Sequence, residues 1–211
     1  MRLMIDETKR AELETTLRLI YDDLKIFGSI AVIKQDNWLG IYDIKHEVQV
    51  EPVFKSAYVT DTFGVFEYNA GQRSYRSNTF SKCMLYISEP GVRVEIPFEN
   101  CKIFNTEYVS NRFIVIEAKV TTIVYDAVTG EKVFDEPCKG IYTSRYTEFI
   151  PLAIQDTKGK ITGFTLDGRY GEVYDLLKPL NPKIGKSGAS VNYEVMHNGE
   201  KVVLNKYGQR F

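Results

Sequence analysis

Leu13, Leu17, Ile20 and Leu24 recur at steps of three and four, while Glu7, Lys9, Arg10, Glu12 and Asp23 fall on other faces. That period predicts one amphipathic helix between Asp6, a suitable N-cap, and Gly28, where a helix-ending glycine is expected. Its apolar stripe can cover an open face of a sheet or pack on another chain, so a homo-oligomer through this helix is one expectation.

After Gly28 the pattern changes to short β-branched and aromatic runs broken by Gly, Asn, Asp and Pro. Strands are predicted at 29–34, 39–43, 47–50, 57–60, 64–68, 84–88, 93–96, 113–118, 122–126, 132–134, 149–155, 162–166, 172–174, 193–197 and 201–205, with period-two alternation toward a common apolar interior. Val128-Thr129-Gly130-Glu131, Asp167-Gly168 and Asn198-Gly199 supply residues tolerant of positive φ, as tight hairpins require. The expected fold is mainly β: antiparallel hairpin repeats, about four or five of them, propeller-like or as a stacked meander, with one N-terminal amphipathic α-helix. The helix (1–28) is expected to pack on a single β-repeat domain (29–211) that has a flexible connection near 178–190.

The hairpins are weakly alike. Leu39-Gly-Ile-Tyr-Asp43 leads into Val48-Gln-Val-Glu-Pro-Val-Phe54, Cys83-Met-Leu-Tyr-Ile87 into Val94-Glu-Ile-Pro-Phe98, and Thr122-Ile-Val-Tyr-Asp126 into Val133-Phe-Asp-Glu-Pro137. Tyr42, Tyr86 and Tyr125 are separated by 44 and 39 residues, a spacing found in repeat architectures. The first repeat has Leu39-Gly40-Ile41-Tyr42-Asp43, His46 where a turn glycine would stand, then Val50, Pro52 and Phe54, and it resembles a diverged WG repeat with Trp38 displaced by one position. The match is confined to residues 38–54, and the later repeats lack the Trp-Gly pair. The resemblance implies a bacterial β-rich interaction module and brings no catalytic residue with it.

Charge narrows the partners. Lys plus Arg (27) nearly balances Asp plus Glu (28), so no net field gathers nucleic acid or an anionic membrane. With no leader-length apolar stretch and no run of 18 apolar residues, a soluble cytoplasmic protein is expected. Cys83, Cys101 and Cys138 are odd in number and far apart, which suits buried thiols better than a disulfide framework or a metal site.

Little catalytic chemistry is visible. His46 and His197 fall in predicted turns without a second ligand at metal spacing, so no metal is expected, and no nucleophile elbow appears. Gly185-Lys186-Ser187 lacks the earlier glycine of a phosphate-binding loop, Leu180 standing there instead, so no cofactor is implied. Asp43, Asp126 and Asp167 occupy comparable hairpin positions, where they can cap turns or, gathered at one end, act on a sugar. The most suggestive feature is Arg beside Tyr in predicted loops: Arg73, Tyr75 and Arg76, then Arg145 and Tyr146, then Arg169 and Tyr170. Both residue types anchor interfaces, burying much area while keeping a polar tip. The expected function is a non-enzymatic binding module that presents these loops to a protein partner, in one form a phage or bacterial protein modulating a host or defence protein. The alternative is a small-ligand binder for a nucleotide, phosphosugar or glycan in a pocket between repeats. A carboxylate-based glycosidase ranks third.

Overall fold

The computed structural model describes residues 7–68, 79–106, 112–143, 152–164, 170–174, 176–179, 193–197 and 199–204. It opens on one helix, α1 (Glu7–Ile20), which ends with Tyr21 N donating to Leu17 O. The helix is shorter than its apolar period predicts, because Asp23–Phe27 is strand β1, paired antiparallel with β2 (Ile30–Gln35). Gly28, at φ 57°, turns this hairpin instead of ending the helix. Leu24 satisfies both periods: it is buried in the same cluster as Leu17, from a strand and not from a further helical turn. Asp6 lies outside the described residues.

Strands β3 (Trp38–Asp43) and β4 (Val48–Phe54) complete a first sheet ordered β1-β2-β3-β4. Next come β5 (Ser56–Val59), β6 (Phe63–Glu67), β7 (Thr79–Phe80), β8 (Cys83–Ile87), β9 (Val92–Ile96) and β10 (Cys101–Asn105). Of these, β5-β6-β8-β9 form a second sheet. With β11 (Phe113–Glu117), β12 (Thr122–Asp126) and β13 (Lys132–Glu136), the third sheet runs β13-β12-β11-β10-β7. A fourth holds β14 (Cys138–Thr143), β15 (Leu152–Asp156), β16 (Ile161–Phe164) and β17 (Tyr170–Tyr174), and a fifth β18 (Leu176–Pro179), β19 (Tyr193–His197) and β20 (Glu200–Leu204). The pairs within β1-β2-β3-β4, β5-β6-β8-β9, β11-β12-β13, β7-β10, β14-β15-β16-β17 and β18-β19-β20 are antiparallel. The chain is therefore mainly β, a series of antiparallel hairpins behind one helix. Residues 178 and 179, expected in a flexible connection, belong to β18, and His197 ends β19 instead of sitting in a turn.

The chain divides into two compact units, Met1–Lys102 with Ala127–Gly130, and Ile103–Asp126 with Glu131–Phe211. In the first, β2 shows how the core is layered. Ile30 and Val32 pack with Ile41, Phe54, Phe66, Met84 and Tyr86 of the first and second sheets, while Ala31 and Ile33 pack with Leu17, Leu24 and Ile44 on the helix side. The first sheet thus has one face on the second sheet and the other on α1. In the second unit Phe113, Val115 and Val124 of the third sheet meet Leu152, Ile154 and Phe164 of the fourth.

This layering revises the expected alternation of apolar and polar positions. Strands β6, β8 and β12 are buried at every position, so their successive side chains enter two apolar layers. Alternation of buried and exposed positions survives in outer strands such as β4 and β9.

The first repeat departs from the second at β4. Leu39 pairs with Phe54 but Ile41 pairs with Val50, so Glu51-Pro52-Val53 bulges opposite Gly40. An edge strand tolerates proline there because no partner needs its missing N–H. The bulge presses backbone inward: a Cβ on Gly40 would stand 2.5 Å from Val50 O and 2.9 Å from Pro52 N. Met84 holds the matching place in the second repeat, where the register runs unshifted against Glu95. Gly40→Ala is expected to cost about 2 kcal/mol by overpacking, read as a lower urea midpoint at unchanged slope.

Candidate functional site

Three hairpins close with four-residue turns at matching places: 44–47 between β3 and β4, 88–91 between β8 and β9, and 127–130 before β13. In each, the last turn residue is left-handed: Glu47 at φ 56°, Gly91 at 68° and Gly130 at 76°. The turn-glycine place assigned to His46 therefore belongs to Glu47. Glycine reaches this conformation without the clash that a Cβ brings, so Glu47 holds it at a local cost.

These turns lie against one another in the first compact unit. Lys45 Nζ donates to Glu89 O at 2.9 Å and Oε1 at 3.0 Å. A Cβ on Gly91 would sit 2.8 Å from the His46 ring, and one on Gly130 would sit 2.8 Å from Val92 and 3.0 Å from Pro90. A Cβ at Gly91 would force the His46 ring to shift.

Asp43, fully buried, is the centre of the arrangement. One carboxylate oxygen accepts from the amides of Lys45 (2.8 Å) and His46 (3.1 Å), an Asx turn that shapes 44–47. The other accepts from His46 Nδ1 at 2.9 Å and from the Tyr86 hydroxyl, 43 residues later in the second sheet, at 2.5 Å. Burial, then the bond to Asp43, push the Tyr86 phenol above its ordinary range, so it stays a neutral donor at physiological pH. The second carboxylate, Glu67, is buried and accepts from Ser56 Oγ and from the amide and hydroxyl of Ser81 at 3.2 Å. The third, Asp126, is buried and takes Nε at 2.9 Å and Nη2 at 2.8 Å from Arg112.

These groups shape the fold. An acid–base pair working on a sugar needs carboxyl oxygens facing a cleft, whereas those of Asp43 and Asp126 face donors of the fold itself, Lys45, His46 and Tyr86 for the one and Arg112 for the other. Asp167 lies outside the described residues. Among the described residues no three His, Cys, Asp or Glu side chains are grouped to hold a metal, and no helix is long and apolar enough to cross a membrane. A cavity of about 220 Å³ in the second unit is lined by Phe104, Glu117, Cys138, Lys139, Gly140 and Ile141.

Of the Arg/Tyr residues assigned to a binding surface, Arg73, Tyr75, Arg76, Arg145, Tyr146 and Arg169 lie outside the described residues. Tyr170 begins β17, opposite Phe164, and is a strand residue instead of a loop one. The Tyr86–Asp43 tie and the Arg112–Asp126 pair were missed from sequence. Arg112 had a readable signal, since it immediately precedes Phe113, the residue paired with Asp126. Exposed apolar groups include Val48 and Val53 of β4 and Trp38 of β3, the last with Lys55 Nζ 3.0 Å from its ring centroid, as well as Leu19 and Ile20 of α1.

No protein-family model matches the chain, and no curated protein matches it. Solved structures are similar at low identity. Kluyveromyces lactis Hsv2 is 13% identical over 88% of this chain and 61% of its own, with a TM-score of 0.31. BamB from Moraxella catarrhalis is 16% identical over 89% and 71%, with a TM-score of 0.30. The chain spans less than two thirds of the Hsv2 length.

Proposed function

We propose that this chain is a non-enzymatic binding scaffold for a protein partner. The observation that carries the reading is how the chemistry-bearing side chains are used: Asp43, Glu67 and Asp126 are buried and hold donors of the fold itself, and His46 is tied to Asp43. What is left to meet a partner is the outer surface. Trp38 of β3 and Val48 and Val53 of the edge strand β4 stand exposed, and Trp and Arg are residues around which interfaces concentrate their energy. The Arg73 to Arg76 and Arg145-Tyr146 segments, together with Arg169, extend the same recognition chemistry. In its finer form the reading is of a phage or bacterial protein that modulates a host or defence protein in the cytoplasm, following the WG-like first repeat.

Pull-down from lysate of the native source tests this, comparing wild type with Arg76→Ala/Arg145→Ala and with Trp38→Ala/Val53→Ser. A partner retained by wild type and lost by either variant is expected. Identical recovery by all three would overturn the assigned surfaces. The cavity beside Lys139 leaves a small-ligand reading as second choice only, since its 220 Å³ lies below the roughly 300–1,000 Å³ of ordinary ligand pockets.

A further inference from the structure

Resting on the reading of this chain as a protein-binding scaffold, we propose that the indole of Trp38 is a seat for an arginine side chain of the partner, occupied by Lys55 until the partner arrives. Register puts the two residues together. Leu39 and Ile41 of β3 and Phe54 of β4 pack toward the second sheet, so alternation turns Trp38, Tyr42 and Lys55 to the opposite face, where Tyr42 packs beside α1. Lys55 follows Phe54, the residue paired with Leu39, and so stands across from Trp38, with its Nζ 3.0 Å from the ring centroid. Trp38, Val53 and Lys55 are exposed, so α1 leaves this end of the face uncovered.

The charge bordering that face is acidic. Asp22, just beyond α1, accepts from the amide of Asp36 at 2.9 Å, which anchors it at the turn that leads into Trp38. On β4, Gln49 Nε2 donates to Glu51 Oε1 at 2.8 Å and to the Tyr21 hydroxyl at 3.0 Å, which places Glu51 on the helix side. Asp22, Asp36 and Glu51 are all exposed. Lys25 and Lys34 belong to the other face, since Leu24, Ile26 and Ile33 pack on the helix side, and Arg18 of α1 is paired with Glu14 at 2.7 Å. Lys55 is thus the cation that this surface sets against those carboxylates, and its position shows that the ring face accepts one. A guanidinium does more than an ammonium there: it stacks flat on an indole and forks onto a carboxylate, so an arginine displaces Lys55.

Trp38 is the one tryptophan of the chain, so its fluorescence reports on the seat directly. The full chain is titrated at low salt with the peptide Ac-Gly-Arg-Gly-Arg-Gly-NH2 and with its Lys and Gln counterparts. A saturable change in emission is expected with the Arg peptide, binding about threefold weaker with Lys, and none with Gln. Lys55→Gln is expected to bind the Arg peptide about threefold more tightly, because nothing then competes for the ring, and Asp36→Asn combined with Glu51→Gln to bind it several-fold more weakly. Absence of a saturable change, equal responses to the Arg and Gln peptides, or no gain in Lys55→Gln would each overturn the proposal. So would a dimer in solution that Trp38→Ala dissolves, which would give the seat to a second copy of the chain. A lysate partner lost by Trp38→Ala/Val53→Ser, without any peptide binding, would leave the scaffold reading standing and overturn the arginine seat alone.

Discussion

Asp43→Ala is expected to lower the unfolding free energy by about 4 kcal/mol, because several donors are stranded at once. The mechanism is the stranding of donors. The Tyr86 hydroxyl, fully buried, loses its acceptor, and a buried unpaired polar group costs about 1–3 kcal/mol. The amides of Lys45 and His46 lose the carboxylate that folds the turn, and His46 loses the anchor of its ring against Gly91. Tyr86→Phe leaves the turn intact and is expected to cost less, about 2 kcal/mol for a hydrogen bond to a charged acceptor. Urea unfolding of both variants and their double mutant measures the link between the sheets. A coupling energy of at least about 1 kcal/mol is expected, and strictly additive costs would show that the two side chains stabilise separate places.

Arg112→Ala is expected to cost about 3–4 kcal/mol, because it leaves the Asp126 carboxylate buried without its cation. Two guanidinium nitrogens converge on one oxygen, a fork that a lysine ammonium does not reproduce, so Arg112→Lys should recover only part of the loss. Arg112→Met combined with Asp126→Asn should be milder than Arg112→Ala alone, since no charge is then stranded. Equal losses in the single and double variants, by thermal or urea unfolding, would count against an electrostatic origin.

The strands were readable where local chemistry and pairing agree. Thr122–Asp126 has the bounds that sequence alone gives it, because its β-branched and aromatic side chains are also buried. Asp23–Phe27 was read as helix because its apolar residues also fit a period near four, and only pairing with Ile30–Lys34 decides otherwise. Cys101–Asn105 and Cys138–Thr143 escaped because Lys102, Lys139 and Gly140 interrupt their apolar runs. At the candidate site, Asp43 was legible as a turn-forming carboxylate. Its distant partner was not: the Tyr86 hydroxyl reaches Asp43 through the packing of two sheets, and no spacing rule within a single hairpin encodes it.

The short loop Ala127–Gly130 belongs to the first compact unit although the strands on either side of it belong to the second. During synthesis the N-terminal portion therefore cannot finish at Lys102. Pro90 and Val92 wait for Gly130, made about 40 positions later, so completion of the early half depends on the turn between β12 and β13. A permuted or split version cut between 102 and 103 would inherit that debt, whereas one opened beyond Gly130 would leave the early half with every segment it uses.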